Sequence, residues 1–216
     1  MLECSGIFQT YGQAAILEDV SLRIRPGELH QVSGPSGGGK TTLLRILCLF
    51  ESPVAGEVSL HTQAYRHGDM FARASWVQNE RFRQAVTLVS QQIFLWPHLT
   101  CRENIEMVAG VSDTVEVLAE RLNVAHCLPR FPNQVSVGQR QRIALIRAIA
   151  TKPEFLILDE VTSALDNRMC GIATELISEI TRGGVGTLIV THRDHEWTDI
   201  SPQRWWIEHG RLTWRQ

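Results

Sequence analysis

Residues 34–42 read GPSGGGKTT, directly after a short strand-like stretch that ends near Val32. Leu43, Ile46, Leu47 and Phe50 then recur at helical spacing, so a helix follows the glycines and is expected to stop near Pro53. Gly34, Gly39, Lys40 and Thr41 stand at the fixed positions of GxxxxGK[ST]. Glycines let the backbone curl until several N–H groups face one phosphate. Lys40 supplies positive charge for β- and γ-phosphate oxygens, and the Thr41 hydroxyl can ligate Mg²⁺. The position between a strand and a helix is the context such a cradle requires, and it points to a bound nucleoside triphosphate.

Outward from this loop the pattern alternates. Ahead of it, LECSGIFQ and ILEDVSLRI (16–24) read as strands closed by a Pro26–Gly27 turn. Behind it come a strand over 86–91 and a helix in 112–126 marked by Val115, Leu118, Ala119 and Leu122. A strand-like FLIL (155–158) follows, then a helix after Asn167, the strand TLIVT, and a hairpin over 204–214 turning at His209–Gly210. Strands alternating with helices predict an α/β fold: a mainly parallel sheet with an antiparallel β portion in front. The 216 residues suffice for one sizeable core. A net charge of −2 gives no bulk electrostatic reason to expect nucleic acid. No apolar run reaches the ~18 residues that cross a bilayer. The start MLECSGIFQTYG lacks the regions of a secretion signal. Cys4, Cys48, Cys101, Cys127 and Cys170 are scattered and odd in number, and read as reduced thiols in the cytosol.

Two further strings carry chemistry. FLILDE delivers Asp159 and Glu160 to the carboxyl end of a buried strand, where α/β sheets place ligands. Asp159 is a candidate Mg²⁺ ligand and Glu160 a candidate to polarise the attacking water. VSVGQRQRI (135–143) holds Ser136 and Gln139 at capping-box spacing, so a helix starts there, its N–H groups and positive dipole end facing outward. Such a tip suits an anion, and the string alone does not say whose.

Taken in order, the glycine loop, VSVGQRQ, FLILDE, SALD and VTH resemble the nucleotide-binding subunit of ABC transporters over essentially the whole chain. The resemblance implies one domain over 1–216: a P-loop NTPase core with the antiparallel portion (1–92 and 136–216) and a helical insertion at about 93–135 that docks on a permease. It implies ATP and Mg²⁺ as ligands, held by Gly34, Pro35, Ser36, Gly37, Gly38, Gly39, Lys40, Thr41 and Thr42, with Tyr11 stacking on adenine. Gln91 matches the residue that senses Mg²⁺ and links hydrolysis to the membrane partner. His192 matches a γ-phosphate contact, so catalysis falls to Lys40, Gln91, Glu160 and His192, and metal binding to Thr41, Gln91 and Asp159. Ser136, Gly138, Gln139 and Asp166 act in trans, on a nucleotide held by a second copy in a head-to-tail dimer. The implied location is the cytoplasmic face of the bacterial inner membrane, peripheral through the permease. LRILCLFESPVAGEV, FLWPHLTCRENI and VTSALD look like the branch that imports polar amino acids, which adds a solute-binding protein as a partner.

Two positions depart from the family pattern: Val137 replaces the first glycine of the signature string, and Val161 the proline after the catalytic glutamate. If position 137 needs a positive φ, a β-branched residue there loosens the trans contact. Val161 only restores an N–H and frees φ. A non-catalytic regulatory subunit, an exporter ATPase and a soluble P-loop kinase or repair ATPase are the competing readings. His192, Asp194 and His195 raise a metal reading that lacks further ligands. Four of six tryptophans follow position 196, and cross-strand packing in the terminal hairpin competes with an exposed aromatic contact.

Overall fold

The computed structural model describes residues 1–66, 76–192, 197 and 201–215, with the backbone alone for 76–79. Asp194 and His195 therefore lie outside the described residues. Strands β1 (Leu2–Tyr11), β2 (Ala14–Ile24) and β3 (Leu29–Ser33) lead into helix α1 (Lys40–Leu47). A hairpin of β4 (Ala55–Leu60) and β5 (Gln63–Arg66), helix α2 (Trp76–Ala85) and strand β6 (Val86–Val89) follow. Next come helices α3 (Cys101–Ala109), α4 (Thr114–Arg121) and α5 (Val137–Ala150). Strand β7 (Phe155–Asp159), helix α6 (Asn167–Arg182) and strands β8 (Gly186–Val190), β9 (Gln203–Glu208) and β10 (Arg211–Arg215) complete the order.

Two sheets result. An antiparallel sheet runs β2-β1-β4-β5, and a second runs β10-β9-β3-β8-β7-β6. In the second, β6, β7, β8, β3 and β9 are mutually parallel, and only β10 turns back. Parallel strands buried on both faces are apolar without alternation, and every residue of β7 and β8 is buried. The period of two still divides them. Phe155 and Ile157 face a core shared with β1, β2 and α1, while Leu156 and Leu158 face a second core with α5 and α6. The carboxyl ends of β3, β7 and β8 thus emerge between two packed layers.

Several boundaries differ from expectation. Helix α1 ends at Leu47, well before Pro53, in a Schellman motif: Leu49 takes φ 55° and donates to the Ile46 carbonyl, while Phe50 donates to Arg45. Phe50 is thereby turned out and left 62% exposed. The 112–126 helix contracts to α4 plus a 3₁₀ turn at Ala125–Cys127. Strand β6 stops at Val89, which leaves Gln91 in a loop. The β4–β5 hairpin and α2 have no counterpart among the expected elements, whereas α3 falls within the helical insertion expected at about 93–135. Helix α3 buries only Cys101, Asn104 and Ile105, so a polar residue interrupts its apolar stripe. The terminal hairpin does turn at His209–Gly210, both at positive φ as a tight two-residue turn requires. Trp205 lies opposite Trp214 and donates to His30, and the Arg215 guanidinium sits 3.9 Å over Trp206. Trp214 remains exposed.

Candidate functional site

The glycine loop fills the gap between β3 and α1. Gly39 is the N-cap of α1 at φ 96°, and no side chain caps the helix. A Cβ at Gly39 would lie 2.8 Å from the Ile16 carbonyl oxygen, so bulk and handedness both demand glycine there. The result is a helix start whose N–H groups have no side-chain acceptor, bordered by Pro35, Ser36, Gly37 and Gly38, which line a depression of about 450 Å³ with Ala15 and Ile16. Lys40 bends back over the loop, and its ammonium donates to the carbonyls of Gly34 and Pro35, both at 2.8 Å. Burial lowers its pKa, against the opposing pull of Glu160 and Asp159.

Six side chains converge at the carboxyl ends of the parallel strands. Thr41 donates to the Asp159 carboxylate at 3.3 Å. Gln91, in the loop after β6, donates to one Glu160 oxygen at 2.7 Å. The His192 ring, just past β8, lies 3.1 Å from the other. Burial and the adjacent Glu160 charge raise the Asp159 pKa, while the Thr41 hydrogen bond and the Lys40 and His192 charges oppose them. A buried carboxylate held up in this way is relieved by a cation. Thr41 and Asp159 offer only oxygen donors, as Mg²⁺ prefers. Among the described residues no group of three His, Cys, Asp or Glu side chains forms a cage. A carboxylate and a hydroxyl fit an ion whose remaining ligands are phosphates and water.

The other sequence-derived residues lie apart from this cluster. Tyr11 ends β1 half exposed, with its phenol donating to Glu51 at 2.5 Å. Ser136 caps α5: its hydroxyl accepts the Gln139 N–H at 3.2 Å, and the Gln139 side chain accepts the Ser136 N–H at 2.8 Å. Asp166 caps α6 through the Met169 N–H at 2.9 Å. A Cβ on Gly138 would approach the Ala164 carbonyl oxygen to 2.9 Å, so the start of α5 is pressed against the loop that follows Glu160. Val137 is the first helical residue, exposed, and not among the residues at positive φ. The backbone there asks for nothing that only glycine provides. Val161 is buried in the core formed with α5 and α6.

Two contributions were missed. Glu160 itself adopts φ 50°, and its carbonyl accepts hydrogen bonds from Gln141 at 3.0 Å and from the Ser163 hydroxyl at 2.8 Å. Gln141 follows the quoted VSVGQ by only two positions and is buried, and no residue pattern sets it apart from the polar side chains around it.

The sequence model of the ABC transporter family matches residues 17–163. The chain belongs to that family. It is an ATPase of the ABC type. Among its relatives is the arginine transport ATP-binding protein ArtP of Haemophilus influenzae, 36% identical over 94% of this chain and 86% of that protein. The spermidine/putrescine import ATP-binding protein PotA of Chromobacterium violaceum is 35% identical over 98% of this chain and 58% of that protein. The octopine permease ATP-binding protein P of Rhizobium meliloti is 33% identical over 97% of this ABC chain and 85% of that one. A solved dimeric post-hydrolysis state of the ATP-binding cassette MJ0796, bound to ADP and Pi, superposes with a TM-score of 0.89 at 26% identity, covering 100% of this chain and 98% of that one.

Proposed function

We propose that this chain is the ATP-hydrolysing subunit of a membrane importer and works as a head-to-tail dimer. The observation that carries the reading is the meeting of Lys40, Thr41, Asp159, Glu160, Gln91 and His192 at one end of the parallel sheet. Lys40 exchanges its loop carbonyls for β- and γ-phosphate oxygens, and the N–H groups at the start of α1, which no side chain caps, receive the β-phosphate. Thr41 and Asp159, with Gln91 nearby, would hold Mg²⁺, which when bound neutralises phosphate charge. Glu160 orients the attacking water and accepts its proton, while His192 faces the γ-phosphate. Tyr11 offers its exposed ring to adenine. Ser136, Gly138, Gln139 and Asp166 complete the partner's site, where the capped tip of α5 presents its positive dipole end.

The segment 93–135 would dock on a permease, which would hold the subunit at the cytoplasmic face of the bacterial inner membrane. Exposed Phe94, Met107, Val108 and Val111 support that reading. Among the described residues no helix is long and apolar enough to cross a membrane. The likeness to the arginine and octopine proteins favours polar amino acid import with a solute-binding protein, and the likeness to PotA favours a polyamine instead. Stimulation of the ATPase by the permease with an amino-acid receptor, and not with a polyamine receptor, decides between them.

The core test is Glu160→Gln with Mg-ATP on size-exclusion chromatography. The expected outcome is no phosphate release and a shift from monomer to dimer, reversed by adding Ser136→Glu. A protein that stays monomeric at saturating ATP, alone and with its permease, ends the shared-site reading.

A further inference from the structure

Gln141 lies on α5 about one and a half turns past Ser136 and is 2% exposed. Its Nε2 donates to the Glu160 carbonyl, while its Oε1 is buried with no partner. An orphaned acceptor is a cost that an apolar side chain of equal length would remove. What recommends an amide at this position is therefore its donor. The receiving peptide is unusual too. Glu160 is in the left-handed region, where a non-glycine residue persists only if its surroundings over-determine it. Its N–H is held by the Val190 carbonyl at 2.9 Å, and its carbonyl by the Ser163 N–H at 3.1 Å, the Ser163 hydroxyl and Gln141. Both Ser163 bonds are local to the turn. Gln141 ties the same atom to another element, the helix whose tip carries Ser136.

We propose that Gln141 is a positioning residue that couples the tilt of α5 to the aim of the Glu160 carboxylate. The proposal rests on the reading of Glu160 as the base and of the α5 tip as a contact to a partner's phosphate. When that tip docks on a nucleotide in the partner, movement of the helix is carried through Gln141 to the Glu160 carbonyl. It turns a residue whose carboxylate is bracketed by Gln91 and His192. Hydrolysis is then licensed by closure rather than by nucleotide binding alone.

Gln141→Met keeps the length and removes both the donor and the orphaned oxygen. The expected Tm stays within about 2 °C of the parent. The KM for ATP stays within about twofold and kcat falls by about tenfold, the pattern of an interaction used on the way to the transition state. Without nucleotide, hydrogen exchange at the Ser163 and Leu165 amides is about tenfold faster, while that of α5 is unchanged. ATP still dimerises the Gln141→Met, Glu160→Gln double variant. The exchange measurement needs no hydrolysis. A parent protein that releases no phosphate overturns the ATPase mechanism, while exchange still judges the tie. Unchanged exchange, unchanged kcat in an active protein, or a Tm that falls along with kcat each overturn the proposal. If Gln141→Met is insoluble, Gln141→Asn, an amide one methylene short, is judged by the same readings.

Discussion

Asp159 and Glu160 are adjacent carboxylates in a setting that penalises charge, and only one of them is deeply buried. Because burial and Glu160 raise the Asp159 pKa, the folded protein holds that proton more tightly than the unfolded chain does. The Asp159 contribution to stability is therefore greatest at low pH and is lost as pH rises through its folded pKa. Asp159→Asn removes the penalty. At pH 7 without nucleotide it should melt about 2–4 °C higher than the parent, a gain of about 1 kcal/mol, while abolishing phosphate release. The gain should vanish as the pH approaches the ordinary carboxylate range, and thermal melts across pH check both limits. This pair was legible in FLILDE only beside the glycine loop, because acids at a strand end are by themselves as readily solvated loop residues. Gln141 was not, because nothing in one sequence says which glutamine of a polar run turns inward.

Among the helices, α5 opens with a side-chain capping box while α1 opens with a bare glycine, and both were readable from residue types at fixed spacing. Position 137 shows where such reading ends: a departure from a pattern matters only through backbone geometry, which spacing does not disclose. Since Val137 is exposed and helical, Val137→Gly should leave kcat within about twofold and cost about 0.5–1 kcal/mol by urea unfolding. A large rise in kcat would mean that the catalytic geometry differs at this tip. Within the expected helical insertion, the bounds of α3 were illegible for a complementary reason. Its central buried residue is Asn104, whose amide accepts from the Trp96 N–H and donates to the carbonyls of Trp96, Leu99 and Thr100. Polarity there looks like surface, yet it secures the loop after Gln91. Asn104→Ala should cost about 2–3 kcal/mol in urea unfolding, since it strands buried backbone groups. A loss below ~0.5 kcal/mol would show the loop to be held by other contacts.

At the scale of the molecule, two apolar cores press on opposite faces of β7 and β8, and the side-chain cluster around Asp159 and Glu160 sits at the seam. Lys40 and Thr41 enter from one core's helix, whereas Ser136 caps a helix of the other and is turned to solvent. In a two-fold head-to-tail dimer each site takes its lysine from one protomer and its serine from the other. That division predicts complementation between two inactive proteins. Lys40→Ala homodimers lack the phosphate-binding ammonium in both sites, and Ser136→Glu homodimers put a charge against both nucleotides. A mixed dimer pairs the intact Lys40 of one with the intact Ser136 of the other, giving one whole site and one doubly broken site. With an equal mixture paired at random on the permease, which holds together dimers that Ser136→Glu would not form alone, and with independent sites, half the dimers are mixed and activity should return to about a quarter of the parent's. Phosphate release across mixing ratios measures it, with a maximum at equal amounts. No recovery at any ratio would mean that each site is completed within one chain or that both must fire together, and either result ends the picture of two separable shared sites.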